Sequence, residues 1–224
     1  MTAKGQLVLD LPVRPALGRE DFLVADCNAE AVAWLDRWPD WPAPALCLYG
    51  PAGSGKSHLL GVWRARSEAL GVAVDGLRQD AVPALAARGA VALDGADGAG
   101  DGVALLHLYN LLREGGGWLL LTGRRPPRQW RLRPPDLESR LLAAPAVAIG
   151  PPDDPLLMAV LAKMFADRQV RVGQDVLSYL VPRMERSFAA ANRLVAALDG
   201  ASLSGRRPIT VPLARQVLAG AGGA

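Results

Sequence analysis

Eight consecutive residues, Gly50-Pro51-Ala52-Gly53-Ser54-Gly55-Lys56-Ser57, satisfy G-x-x-x-x-G-K-[ST] at every position. The chemistry of that spacing is phosphate binding. Glycines let successive backbone N–H groups turn inward around phosphate oxygens. Lys56 brings a point charge to the β and γ phosphates of ATP or ADP, and the Ser57 hydroxyl is a ligand for Mg²⁺. His58 follows, at the edge of where the nucleotide would lie. A phosphate loop of this kind needs a carboxylate from a neighbouring strand to help hold the metal. Asp94, closing the apolar run Ala90-Val91-Ala92-Leu93, is in the right place; the alternative is a turn-forming Asp before Gly95. Gly95 cannot polarise water, and Asp97 reaches the site only if the loop bends.

Those residues need a scaffold, and the pattern around them supplies one. The motif lies between a short apolar run, Ala45–Tyr49, and a helical stretch, 56–70, stopped by Gly71, so the helix aims its positive end at the anion. Further runs at 71–74, 90–93, 118–122 and 146–149 read as strands. Helical patterns at 29–38, 80–88, 103–113 and 136–142 separate them, with Asn28 as N-cap of the first. Short buried-type strands alternating with helices predict a five-stranded parallel sheet covered on both faces. Beyond 150 only helical patterns remain (153–167, 173–181, 187–203, 211–218), which predicts a small all-helical subdomain. The expected organisation is an extended N-terminal segment, 1–17, an α/β core, 18–150, and a helical lid, 151–220. Trp34, Trp38 and Trp41 are expected to pack onto the core.

Composition excludes several classes. In 224 residues half are apolar and 21% charged, enough to bury a core. Cys27 and Cys47 are too few for a disulfide framework or a four-ligand zinc site, and are expected as reduced thiols. No apolar run is long enough to span a bilayer, and the N-terminus lacks a signal-peptide pattern, so a cytoplasmic protein is expected. The net charge is +3, from 25 basic and 22 acidic residues. Residues 113–140 carry seven arginines against three acids, a local +4, while the rest of the chain is at −1.

Several stretches resemble one family, the DnaA family of AAA+ ATPases, and within it the shorter Hda branch. Phe22-Leu23-Val24-Ala25-Asp26-Cys27-Asn28 resembles the F-V-x-G-x-x-N segment that lies near the adenine. Residues 50–57 match its Walker A. Leu121-Thr122-Gly123-Arg124-Arg125-Pro126-Pro127 resembles sensor 1, and Pro135-Asp136-Leu137-Glu138-Ser139-Arg140-Leu141 resembles the arginine-finger box. Gln6-Leu7-Val8-Leu9-Asp10-Leu11 is similar to a sliding-clamp-binding peptide, with Asp10 where proline is usual. Its leucines at alternate positions would equally suit a strand packed on its own domain. The chain ends after the lid, where DnaA continues into a DNA-reading domain, so such a domain is not expected here.

The resemblance implies an AAA+ P-loop core with a helical lid. Phe22, Val24 and Asn28 would join 50–58 in holding ADP or ATP, with Ser57 and Asp94 on Mg²⁺. Gln6, Leu7, Leu9 and Leu11 would engage the β clamp of DNA polymerase III. Arg140 would act in trans on ATP bound to DnaA, switching the initiator off; otherwise it is a surface arginine paired with Glu138 or Asp136. DNA would be met mainly through the clamp, in the nucleoid at the replisome, and a homo-oligomer is conceivable. Three positions depart from the family pattern: Gly95 replaces a second acid, Arg124 stands where sensor 1 has Asp, and Ala189 where sensor 2 has Arg. Arg186 and Arg193 lie close enough in sequence to substitute for the last. Nucleotide binding is therefore expected to be kept and hydrolysis weakened, leaving bound ADP a largely structural role. Competing readings are a helicase-loader-type ATPase, a DNA-binding accessory protein and a nucleotide kinase.

Overall fold

The computed structural model describes residues 23–98, 100–205 and 207–221. The Gln6–Leu11 motif and Phe22 lie outside these. Described residues up to Gly150 form one compact unit and those from Pro151 onward a second.

The first unit is built on five strands, β1 (Ala45–Tyr49), β2 (Leu70–Ala73), β3 (Ala90–Asp94), β4 (Trp118–Gly123) and β5 (Ala146–Ala148). All pair in parallel, in the order β2-β3-β4-β1-β5. Side chains alternate between the two faces of each strand, and the core divides accordingly. Ala45, Cys47, Val91, Leu93, Leu119 and Leu121 belong to one apolar layer. Leu46, Leu48, Ala90, Ala92 and Leu120 belong to the other. The first layer is closed by α4 (Gly102–Glu114) and α5 (Pro135–Ala143), through residues such as Leu105, Leu108 and Leu141. The second is closed by α1 (Ala29–Asp36) and α2 (Lys56–Ser67), through Leu35, Leu59 and Trp63. Cys47, at the centre of β1, has its thiol pushed up to about 12 by burial, which leaves it an inert packing group.

Local chemistry explains the element ends. Asp101 caps α4, its carboxylate accepting the N–H groups of Val103 and Ala104, each at 3.0 Å. The helix beginning at Lys56 stops at Ser67, short of the Gly71 that its sequence suggests. Glu68 takes a left-handed conformation (φ 56°) and Leu70 already pairs with Val91 in β2. The pattern at 80–88 divides into a single 3-10 turn (Gln79–Ala81) and a short α3 (Val82–Ala86), with Pro83 in its first turn, where a missing N–H costs nothing. Asn28 does not cap α1 with its side chain. Its carboxamide accepts the Ala25 N–H (3.0 Å) and donates to the Leu23 carbonyl (3.1 Å), because the preceding turn offers it both a donor and an acceptor.

The second unit holds α6 (Asp154–Asp167), α7 (Gln174–Leu180), α8 (Phe188–Gly205) and α9 (Val211–Ala221). They share a core that includes Leu161, Phe165, Leu180, Val195, Leu198 and Leu213. Asp153 caps α6 through the Leu156 N–H (2.9 Å), and Ser187 accepts the Ala190 N–H at the start of α8 (3.1 Å).

Tryptophans fasten α1 and the following proline-rich connector to the sheet. Trp63 stacks on Trp41 (centroids 5.6 Å apart) and meets Trp38 edge-on (6.1 Å), while Trp41 meets Trp118 edge-on (5.7 Å). Trp34 is half-buried against the same layer. Trp63 is 1% exposed, and its indole N–H has no partner among the described residues. Trp63→Ala should cost about 3–5 kcal/mol, the usual loss for a buried Trp. Trp63→Phe, which removes the unpaired N–H and keeps a ring, should cost clearly less; urea unfolding midpoints measure both.

Candidate nucleotide-binding site

β1 delivers the chain into the glycine loop and α2 carries it away. The Gly50 N–H donates to the Gly123 carbonyl (3.2 Å), and a Cβ on Gly50 would lie 2.1 Å from the Ile149 carbonyl oxygen. No side chain fits between the loop and the end of β5. Gly53 and Gly55 follow at φ 71° and 96°, curling the backbone back on itself. Pro51 and Ala52 form the exposed outer turn and Ser54 is buried inside it. The Lys56 ammonium is drawn into the loop, donating to the carbonyls of Gly50 (2.8 Å) and Pro51 (2.7 Å) and lying 3.5 Å from Ser54 Oγ. Burial lowers its pKa from the ordinary lysine value; the Asp94 and Asp97 carboxylates oppose this, and Arg124 adds weakly to it. The first turn of α2 contains no acidic residue and no side-chain cap. A curled glycine loop, an enclosed ammonium and an uncapped helix start together fit a polyphosphate.

The other half of the site follows from strand order. β4 lies between β1 and β3, so residues at the carboxyl ends of all three strands meet. Ser57 Oγ donates to Asp94 Oδ2 at 3.0 Å. The Thr122 hydroxyl, fully buried on the middle strand, donates to Asp94 Oδ1 in a short bond and accepts the Gly95 N–H (3.3 Å). Asp94 is thus oriented from both sides. Among the described residues no group of three or more His, Cys, Asp or Glu side chains could hold a metal ion. The oxygen ligands of the Ser57–Asp94 pair are of the kind that a hard cation such as Mg²⁺ would use, with water and phosphate as its remaining ligands.

Gly95 contributes shape. Its φ of 76° bends the loop, and Asp97 Oδ2 then accepts the Arg124 N–H at 2.8 Å. A carboxylate accordingly stands at the end of β4, beside Arg124. Thr122 appeared in the sequence only within the sensor 1 resemblance, with no site role assigned to it; its contact with Asp94 emerges from the structure.

Other singled-out residues lie at varied distances from this cluster. The Gly150 N–H donates to the Cys27 carbonyl (2.9 Å), which ties 23–28 to the end of β5 near Gly50. Val24 is half-buried in the α1 layer, and the Asn28 side chain is engaged by the backbone of Leu23 and Ala25. His58 lies exposed on the first turn of α2. Arg140 lies on α5, bonded to Asp136 through Nε (3.1 Å) and Nη2 (2.9 Å) and resting over the Tyr109 ring (5.7 Å). In the second unit Ala189 is exposed, Arg186 pairs with Asp154 (2.9 Å) and Arg193 with Glu185 (3.3 Å).

Comparison with known proteins agrees with this geometry. Residues 154–218 match the family model described as Hda, lid domain. Domain III of the Thermotoga maritima replication initiation protein DnaA superposes with a TM-score of 0.77 at 18% identity, over 92% of this chain and 97% of that one. The fold is that of DnaA domain III, and the second unit matches the Hda lid. AMPPCP-bound DnaA from Aquifex aeolicus is similar at a TM-score of 0.70 and 17% identity, over 86% of this chain and 68% of that one. The Thermotoga maritima RuvB branch-migration motor has the same fold at 0.65 and 15%, over 78% and 61%. The five-stranded parallel sheet, its flanking helices and the lid are as the sequence predicted. Among the described residues no helix is long and apolar enough to cross a membrane.

Two substitutions separate the halves of this site. Lys56→Ala should weaken ATP and ADP binding about ten- to a hundredfold with or without magnesium, as expected for a lost charged hydrogen bond of roughly 1.5–3 kcal/mol. Asp94→Asn should weaken only the magnesium-dependent part. Titration of a fluorescent nucleotide with and without EDTA distinguishes them. Because burial lowers the Lys56 pKa, alkaline pH should remove its charge earlier than an ordinary lysine's. Wild-type affinity should then decline with rising pH where that of Lys56→Ala does not.

Proposed function

We propose that this protein is a nucleotide-binding regulator of replication initiation, which engages the sliding clamp and stimulates hydrolysis of ATP bound to DnaA. The observation that carries the reading is the match of residues 154–218 to the Hda lid, on a chain whose phosphate loop is fully assembled. Bound nucleotide supplies the polyphosphate and, with Mg²⁺, the charge that the loop is shaped to hold. Gly50–Ser57 grip it, Asp94 and Ser57 hold the cation, and Thr122 keeps Asp94 in place. Gly95, Arg124 and Ala189 alter the positions that would polarise water or sense the terminal phosphate, which favours weak turnover at this protein's own site.

Arg140 is the residue proposed to act in trans. Its contact with Asp136 is an exposed i,i+4 pair, of a kind worth about 0.3–0.5 kcal/mol. That is small beside the 10³–10⁵-fold rate gain, roughly 4–7 kcal/mol, that an arginine finger brings to a partner's phosphoryl transfer. Leaving Asp136 for a partner's phosphate is therefore inexpensive. Its planar, permanent charge suits the task, and lysine would serve poorly. The extended Gln6–Leu11 motif is proposed to dock into a groove on the clamp, the glutamine in a polar pocket and the leucines in an apolar cleft.

The decisive assay is hydrolysis of DnaA-bound ATP on clamp-loaded DNA, with and without this protein. Arg140→Ala should keep the fold and clamp pull-down and lose the stimulation; full stimulation by that variant would refute the assignment. Gln6→Ala with Leu9→Ala should lose the pull-down and, with it, the stimulation. Single-turnover ATPase of the isolated protein should be slow, and a rate typical of AAA+ motors would favour the ATPase reading.

A further inference from the structure

The loop that follows β4 carries five arginines in ten residues, 124–133, and no acid. All five, Arg124, Arg125, Arg128, Arg131 and Arg133, are exposed, and none forms a salt bridge among the described residues. The apolar residues of the loop face the other way. Trp130 is 2% exposed and donates its indole N–H to the Arg125 carbonyl, Pro127 is buried and Leu132 half-buried. A 3-10 turn at Pro127–Gln129 and the Trp130 N–H to Pro127 carbonyl bond (2.9 Å) hold the backbone between them. The loop is a fixed platform that offers cationic groups and little else.

Three nearby acids are already engaged. Asp97 accepts the Arg124 N–H, Asp101 caps α4 while lining a groove with Arg131 and Arg133, and Asp136 holds Arg140; Glu138 is exposed.

We infer that this arginine loop binds the phosphate backbone of duplex DNA directly, without the clamp. Three features favour that occupant. Guanidinium groups match phosphate oxygens in a bidentate fork, and every cation in the loop is an arginine. A protein interface is expected to contain apolar anchors at its centre, and here they are turned inward. Single strands are held by exposed aromatic platforms, and the one aromatic of this loop is buried beneath it. Phosphate contacts made this way read no sequence. The inference stands apart from the in-trans role of Arg140 and from the Gln6–Leu11 motif.

The test is fluorescence anisotropy of a labelled duplex of about 30 base pairs, with the full chain, no clamp, and salt varied from about 50 to 200 mM. With all five arginines engaged, log K should fall against log salt with a slope of about −4 to −5, a loss of a few hundredfold over that range. Arg128→Ala, Arg131→Ala and Arg133→Ala combined should reduce the slope by about 0.9 per arginine removed. The corresponding triple lysine variant should retain most of the binding. Fluorescent-nucleotide affinity and thermal unfolding should be unchanged in both variants, which separates lost contacts from lost fold. No duplex binding at low salt would overturn the inference, as would an alanine variant that binds like the wild type. So would tighter binding of single strands than of duplex, or displacement of duplex by polyglutamate of equal charge concentration, the mark of a site for acidic protein.

Discussion

The candidate site depends on one topological fact: β4 lies between β1 and β3. Neighbouring strands are roughly 4.8 Å apart, so the ends of β1 and β3 are about 10 Å apart with β4 in the gap. The Thr122 hydroxyl fills that gap and fixes the Asp94 carboxylate that Ser57 meets from the other side. The strand order is in turn enforced by burial. Each central strand presents apolar side chains to both layers, and those layers are closed by different pairs of helices. Sliding any central strand by one residue would exchange its two sets of side chains between layers.

Within this frame the phosphate loop is held by backbone and the end of β4 by side chains. The loop, its ammonium and the Ser57–Asp94 pair are complete. The position after Asp94 is a left-handed glycine, and the bend it makes brings Asp97 to the end of β4. A guanidinium, that of Arg124, directly follows the strand, and the Asp97 carboxylate arrives from the loop. Both lie close enough to influence Lys56. The phosphate loop is governed by backbone shape, which tolerates no side chain at Gly50, whereas the end of β4 is governed by side chains.

Much of the fold was legible because parallel strands buried on both faces appear as short continuous apolar runs, and because the phosphate loop is a contiguous motif. All five strands and the helices of both units begin and end within a few residues of their predicted bounds. The differences are tertiary in origin. Pairing of Leu70 with Val91 ends α2 early, and local backbone groups occupy Asn28 before it can cap α1. The Thr122–Asp94 bond joins residues far apart in sequence, and nothing in either segment announces the other. Asp97 was visible as a candidate, but its placement depends on the φ of Gly95, which residue identity permits without dictating. Arg140 lies on the predicted helix and pairs with Asp136, the one of its two suggested partners that stands four residues away on the same helix face.

The placement of the six tryptophans has an optical consequence. Trp38, Trp41, Trp63 and Trp118 lie within energy-transfer and quenching range of one another, and Trp34 borders the same layer. Trp130 belongs to the opposite apolar layer, beneath the arginine loop, with its indole N–H on the Arg125 carbonyl. The emission of this protein therefore has two spatially separate sources. One responds to how α1 and its connector are seated, and the other to the loop between β4 and α5. A chain that keeps only Trp130 would carry a built-in local probe of whatever settles on that loop.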